Sequence, residues 1–188
     1  MKTPTKLWQA LKPLLRKNNL RRWTQVSQEI PSWDDRNRLI ASMVPPGSSA
    51  LDIGAGAQTL RRHLREPSRY TPCDLVRSTP DTILCDFNNG LIPTGIPKHD
   101  FAICSGVLEY IRTPAPFLQF LRDHGRQVVL SYNVRLPDDS LVDRLVNDWV
   151  NNFTATEIRQ LLIDHGLNPS AEHTFGQREV VFLLTPTA

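Results

Sequence analysis

The chain is poor in cysteine, has no long apolar run, and lacks acidic residues altogether at its start. Its three cysteines, Cys73, Cys85 and Cys104, are scattered over 188 residues and form no CxxC pair. That spacing gives neither a disulfide framework nor the paired ligands of a zinc site. Each cysteine sits in or beside a short apolar run, as buried free thiols in a reducing cytoplasm do. No stretch reaches the roughly 20 apolar residues that cross a bilayer. The first residues hold no compact apolar segment of about 7–15 residues, so no secretory signal is expected, and the expected location is cytoplasmic. Internal repeats and low-complexity tracts are also missing. Residues 1–28 contain no acid, yet they carry Lys2, Lys6, Lys12, Arg16, Lys17, Arg21 and Arg22; of 22 basic residues, these seven leave 15 to face all 19 acids. The net charge of +3 therefore belongs to an arm and not to the body of the chain.

What is present is an ordinary globular composition, 40% hydrophobic and 22% charged, in a length suited to one core. Residues 5–22 place Leu7, Trp8, Leu11, Leu14 and Leu15 on one side of a helix that Pro13 would kink. Residues 33–44 read as a second helix, closed by Pro45, Pro46 and Gly47. The organisation expected is thus a basic helical arm, 1–32, before a domain, 33–188. From residue 49 short apolar runs alternate with helical ones. Strands are expected at Ala50–Ile53, Tyr70–Asp74, Thr82–Asp86, Phe101–Ser105 and Gln127–Tyr132, with helices at Ala57–Arg65 and Phe117–Arg122. Residues 138–150 carry an apolar stripe at helical spacing, Leu141, Val142, Leu145, Val146, Trp149 and Val150, expected to pack on the core. Thr154 and Glu157 have capping-box spacing before a helix running through Leu162. A strand near 170–175, a Gly176-Gln177 turn and the run "EVVFLL" at 179–184 predict a terminal antiparallel hairpin. Alternating strands and helices predict an α/β domain with a mostly parallel sheet, whose ligands sit beyond the carboxyl ends of the strands.

Those ends carry an ordered set of residues. "SSALDIGAGAQTL" at 48–60 runs from a strand through Asp52 into Gly54, Ala55 and Gly56, a turn that brings backbone close to a ligand; Gly54 is read as leaving room for that ligand and as holding a φ that suits glycine. Asp74, followed by Leu75, lies twenty residues after Gly54, the place of a carboxylate that accepts from both hydroxyls of a ribose. Asp86 is placed to accept from an exocyclic amine of a base, and Phe87 to pack on its ring. Ser105 ends the fourth strand. Among the histidines, His124 and His165 each precede a glycine at a helix end and read as caps. His63 reads as a surface residue within a helix, and His99 has no identifiable partner. Asp100 reads as fixing a local turn.

In this order and spacing the segments resemble those of class I S-adenosylmethionine-dependent methyltransferases. "LDIGAG" is similar to the family's first motif, "YTPCDL" to the second, whose acid binds ribose, and "ILCDFN" to the third, whose acid meets adenine. "HDFAICSGVLEYI" resembles the segment around the fourth strand, and "FTATEIRQLLIDHGL" the helix before the last hairpin. The resemblance, over about residues 33–185, implies a Rossmann-like fold: a seven-stranded, mostly parallel sheet with an antiparallel last strand, preceded by N-terminal helices. It implies S-adenosyl-L-methionine as cofactor and methyl transfer to a small or medium nucleophile. The chain departs from the family in having Gln58 where a third glycine is usual, Tyr110 where a histidine is usual, and a short second-to-third strand connection. A dinucleotide turn would want a glycine at Thr59, and Asp52 would repel a pyrophosphate, whereas it suits the ammonium of a phosphate-free cofactor. Ser105-Gly106-Val107-Leu108 lacks the Asn/Asp-Pro-Pro-Tyr run associated with methylation of amide or adenine nitrogens and the Pro-Cys pair of cytosine C5 methylation, which disfavours the best-marked DNA and glutamine methylating groups. The expected partner is therefore a small-molecule methyl acceptor. A general base, where one is needed, would come from Tyr110, Tyr132 or His173. Two alternatives stay open: a catalytically silent binding protein of this fold, and an RNA methyltransferase whose basic arm meets a nucleic acid or another anionic surface.

Overall fold

A computed structural model describes residues 23–24 and 31–187, so the expected helix at 5–22 lies outside the described residues. Helix α1 (Pro31–Ser42) leads into strands β1 (Ser49–Ile53), β2 (Arg69–Asp74), β3 (Ile83–Leu84) and β4 (His99–Ser105). Helix α2 (Pro114–His124), strand β5 (Gly125–Asn133), helices α3 (Leu141–Val146) and α4 (Ala155–Asp164), and the hairpin β6 (Leu167–Phe175) and β7 (Glu179–Pro186) come after them. The strands form one sheet in the order β3-β2-β1-β4-β5-β7-β6. Pairings from β3 across to β5 are parallel, and β7 runs antiparallel to both its neighbours. The expected seven-stranded sheet with its reversed last strand is present.

Two apolar layers enclose the sheet, as parallel strands require. On one face Phe117, Leu118 and Leu121 of α2 and Ile158 and Leu162 of α4 pack on Leu51, Ala102, Cys104, Val128 and Leu130. On the other, Ile40, Ala41 and Val44 meet Ala50, Ile103, Val129 and Val181. The three cysteines are buried and free. Thr154 and Glu157 close a capping box on α4: the Glu157 N–H donates to Thr154 Oγ1 at 3.3 Å and the Thr154 N–H to Glu157 Oε2 at 2.7 Å. His124 and His165 meet the carbonyls of Phe120 and Leu161 at their helix ends, both at 2.9 Å.

Three expectations need correction. The helix over Ala57–Arg65 shrinks to a single 3₁₀ turn, Leu60–Arg62. Gln58 (φ 57°) and Glu66 (φ 45°) bracket it in the left-handed region, which no helix can pass through. Leu60 and Leu64 are still buried. The 138–150 stripe is a helix only over Leu141–Val146, and Asp148 (φ 63°) ends that run. Leu141 and Val146 are exposed at 52% and 39%, while Arg144 is 1% exposed: the helix turns its cation inward. The reason is backbone satisfaction, because Arg144 donates to the carbonyls of Asn133, Val134 and Asn151 and to the side chains of Asn152 and Asp139. Third, His63 lies outside any α-helix and is half-buried. It caps the 3₁₀ turn and its Nε2 lies 2.6 Å from Asp34 Oδ1.

At the amino-terminal end of the sheet, Asp100 accepts from the Ser49 N–H and hydroxyl at 2.9 and 2.7 Å, stitching β4 to β1. Buried His99 has partners after all, with Nε2 at 2.8 Å from Thr71 Oγ1 and accepting from Arg69 Nε–H at 3.1 Å. Gly125 joins α2 to β5 where a Cβ would come within 2.5 Å of the Gln127 carbonyl and 2.8 Å of Ala102 Cβ. The Gly125→Ala variant should therefore lose about 1–3 kcal/mol of stability from overpacking, read as a lower urea midpoint at unchanged slope.

Candidate functional site

The site begins where β1 runs out. The Gly54 and Ala55 N–H groups both donate to the Cys73 carbonyl, at 2.8 and 3.1 Å, so the turn is laid against the end of β2. The Asp74 carboxylate completes the join: Oδ2 accepts from the Gly56 N–H and Oδ1 from the Val76 N–H, both at 2.8 Å. Burial pushes the Asp74 carboxyl up from its ordinary value, while those backbone donors pull it back toward the ionised form. Each oxygen has a second lone pair left to accept another hydrogen bond.

The two glycines do different work. At Gly56 (φ 52°) a Cβ would meet nothing within 4 Å, so the turn opens there. At Gly54 (φ 79°) it would stand 2.2 Å from Val107 Cγ2. Glycine at 54 therefore makes room for the Val107 side chain after β4, at a φ that suits glycine. Gln58 takes the left-handed conformation of the missing third glycine. Its side chain turns into the β2–β3 connection, donating from Nε2 to Thr79 Oγ1 at 2.5 Å and lying 3.4 Å from Asp81 Oδ1. Arg61 meets the Gln58 amide oxygen at 3.3 Å and Asp81 at 3.4 Å. The departure from the glycine pattern keeps the backbone path and adds a clamp.

Asp52 is 2% exposed and accepts from the Tyr70 hydroxyl at 2.5 Å. Burial drives its carboxyl up to about 7; the Tyr70 hydrogen bond and the positive Arg36 oppose this, and the Asp74 charge adds to it. Asp86 accepts from the Asn89 side chain at 2.6 Å and its backbone N–H at 3.2 Å, closing a turn with Leu91. Phe87 sets its ring edge-on against Phe117 and Phe120, with centroids 4.9 and 5.2 Å away. Leu75 is half-buried beside Asp74, Ala55 is buried inside the turn, and Ser105 Oγ lies 3.4 Å from Asn37 Oδ1.

Of the three base candidates, Tyr110 is three residues from Val107, whose side chain crowds Gly54. Tyr110 ends a 3₁₀ turn, Leu108–Tyr110, and its hydroxyl accepts from Trp149 Nε1–H at 3.2 Å. Tyr132 is fully buried, its hydroxyl accepts from the Phe153 N–H at 3.1 Å, and burial pushes it up to about 12. His173 is exposed on β6, the outermost strand, opposite Val181.

Several residues at this end have no signature in sequence. Arg36 of α1 donates to Glu179 Oε1 at 2.8 Å, and the Ser131 hydroxyl donates to the same oxygen at 2.7 Å. Asn37 donates to Thr59 Oγ1 at 2.6 Å. Glu109, fully buried, accepts from the Asn133 N–H and side-chain amide at 2.8 Å each; burial raises its carboxyl, and Oε2 has no partner. Arg36 and Glu179 are 143 residues apart, and neither stands in a motif. Only the Leu-Glu pair in "SGVLEYI" marks one of these positions.

No protein-family model matches the chain, and no curated protein resembles it in sequence. Solved structures do match. A Burkholderia thailandensis 1,6-didemethyltoxoflavin-N1-methyltransferase, with 1,6-didemethyltoxoflavin and S-adenosylhomocysteine bound, superposes with a TM-score of 0.65 at 16% identity, over 100% of this chain and 94% of that one. The methyltransferase in complex with the Haloferax volcanii Trm112 activator gives 0.65 at 13%, over 83% and 90%. The pyocyanin biosynthetic protein PhzM gives 0.58 at 14%, over 80% of this chain, which spans about half, 54%, of that longer protein. The chain has the class I methyltransferase fold.

The contrast between the glycines is measurable. Gly54→Ala should cost about 2–4 kcal/mol, left-handed strain plus the Val107 collision, whereas Gly56→Ala should cost about 1 kcal/mol. Denaturant unfolding of the two variants checks this, and equal losses would contradict the crowding at 54.

Proposed function

We propose that the chain binds S-adenosylmethionine at the 54–58 turn and passes its methyl group to a small-molecule acceptor. The observation that carries this reading is the Asp74 carboxylate, which closes the turn and keeps a lone pair on each oxygen beside the opening at Gly56. That geometry fits a vicinal diol. The cofactor supplies a methyl group already activated on a sulfonium, so the chain's task is positioning. In this reading Asp74 and Leu75 hold the ribose end, and Asp86 meets the base, with Phe87 supporting the site from beneath. Gly54, Ala55, Gly56 and Ser105 line the methionine end. Asp52 is too buried to wrap a ligand and acts through the negative potential it sets under the turn. The neighbours that carry S-adenosylhomocysteine support the same cofactor here. The toxoflavin-precursor methyltransferase, which spans this whole chain, supports a small acceptor. Among the base candidates the reading keeps Tyr110. It keeps 33–188 as the functional domain, and the contact between Trp23 and Tyr110 supports an arm that reaches the acceptor side.

Titration calorimetry with S-adenosylhomocysteine tests the assignment. The wild-type chain should bind it and should not bind NAD. In Asp74→Ala two charge-assisted hydrogen bonds to the ribose are lost, at about 1.5–3 kcal/mol each, so affinity should fall by at least about a hundredfold. A folded Asp74→Ala protein with undiminished affinity would sink the reading.

Asp52 gives the same site a pH signature. Its carboxyl rises from 3.8 to about 7. The folded state therefore holds a proton that the unfolded state releases, and stability falls as pH rises through that interval. The ionised form attracts the cofactor's ammonium, so S-adenosylhomocysteine affinity should increase between pH 6 and about 8. Asp52→Asn should be more stable than wild type at about pH 8, with weaker and pH-independent binding over this range. A wild-type affinity flat across it would remove Asp52 from the cofactor's surroundings.

A further inference from the structure

We propose that the acceptor side of the site recognises a planar aromatic molecule, neutral or anionic, against the rings of Trp23, Tyr110 and Trp149. This deepens the methyl-transfer reading and takes from it only the role of the ligand as acceptor. The three rings come from three separate segments: the residues before α1, the turn after β4, and the connection between α3 and α4. Tyr110 is their common contact. Trp23 meets it edge to face, with centroids 5.0 Å apart and planes at 87°, and Trp149 donates its indole N–H to the Tyr110 hydroxyl. All three are half-buried, and none belongs to either apolar core. Aromatic side chains of this kind present a large, stiff contact area, and the Trp149 indole N–H already has its acceptor.

Their place is beside the proposed cofactor turn. Val107, which crowds Gly54, is three residues from Tyr110. Asn88, next to Phe87, donates to the Tyr110 carbonyl at 2.8 Å and accepts from the Arg112 N–H at 2.8 Å. The Trp149 side is held just as firmly. The Val150 and Asn151 N–H groups donate to the Glu109 carbonyl at 2.8 and 3.3 Å, and the Asn151 side chain donates to the carbonyls of Leu108 and Ile111 at 2.7 and 2.6 Å. The platform is thus bolted to the turn that carries Tyr110, at the end of the sheet where such folds bind ligands.

Charge selects among flat ligands. The buried Arg144 guanidinium lies 4.8 Å from the centroid of the Trp149 ring, and its hydrogen bonds fix it there. A cation on one face of an indole engages the negative quadrupole that a cationic ligand would need, and it repels a second positive charge. A quaternary ammonium is therefore disfavoured, and an uncharged or anionic arene stacks freely.

Titration calorimetry of the full chain with 2-naphthol, decahydro-2-naphthol and choline, each with and without saturating S-adenosylhomocysteine, tests the proposal. The first two probes share a skeleton and a hydroxyl and differ in flatness. 2-Naphthol should bind at least about tenfold more tightly than either other probe, in line with aromatic pairing. Trp149→Ala and Trp23→Ala should each weaken it about fivefold or more, with S-adenosylhomocysteine affinity and the melting transition little changed. Trp149→Phe, which keeps a ring and loses the N–H, should retain most of the 2-naphthol affinity and stands in where an alanine variant does not fold. Equal binding of the two naphthol-skeleton probes, a preference for choline, or unchanged 2-naphthol binding in the folded variants would overturn the proposal. Flatness selectivity without any S-adenosylhomocysteine binding would support it while removing the methyl-transfer reading.

Discussion

The carboxyl end of this sheet is organised by one side chain accepting two backbone hydrogen bonds. Without Asp74, the Gly56 and Val76 N–H groups would have to find other acceptors at the point where β1 and β2 stop pairing. A buried carboxylate that satisfies such donors is costly to desolvate and costly to remove. The cost is accepted because the turn has no long helix behind it to hold it still: only a single 3₁₀ turn, Leu60–Arg62, comes after Gly56. Gln58 contributes from the other side, tying the turn to Thr79 in the β2–β3 connection. The turn is therefore held by side-chain hydrogen bonds where a longer helix would otherwise hold it by packing.

The same substitution of polar ties for regular structure recurs around the site. Arg144 takes the inward position of α3 and serves the open carbonyls after β5. Asn151 does the same for the turn after β4. Glu179 joins α1 to β5 through Arg36 and Ser131. Buried ions of this kind add little net stability compared with apolar packing, and breaking one partner is expensive. Their effect is to fix geometry: loops that could slide on an oily surface are pinned to particular oxygens.

The features legible in the sequence are those that local chemistry dictates. The capping box at Thr154 and Glu157, the histidine caps, the terminal hairpin and the alternation that builds β1, β2, β4 and β5 arise from neighbours a few residues apart. The acids at the strand ends can be located because the parallel sheet aligns those ends. Two elements differ from their sequence pattern for one reason each. Nothing in residue type announces that Gln58 and Glu66 take positive φ, so the helix between them reads as longer than it is. The apolar stripe at 141–150 outweighs Arg144 in the pattern because the carbonyls it serves belong to segments up to eleven residues away. The Arg36–Glu179 pair is invisible in the sequence, since only the completed sheet brings residues 143 apart into contact. Gly54 stands out in the sequence as a special position, but its crowding neighbour, Val107, does not.

The short, helix-free connections on either side of β3 have a bearing on how the domain breathes. β3 has two residues, and Leu84, Leu91 and Ile92 near it are exposed at 39%, 53% and 40%. Local opening free energies track buried contacts and protected backbone, so this flank is the part of the sheet that opens at least expense, whereas β4 and β5, covered on both faces, open only with the whole. Asp86 and the Asn88 tie to Tyr110 both lie on that flank. A ligand that gathers those groups must first quiet the loosest corner of the molecule. Part of its intrinsic attraction then goes into ordering the chain, and it would leave its mark as slowed amide exchange around residues 83–92 rather than as a change of shape.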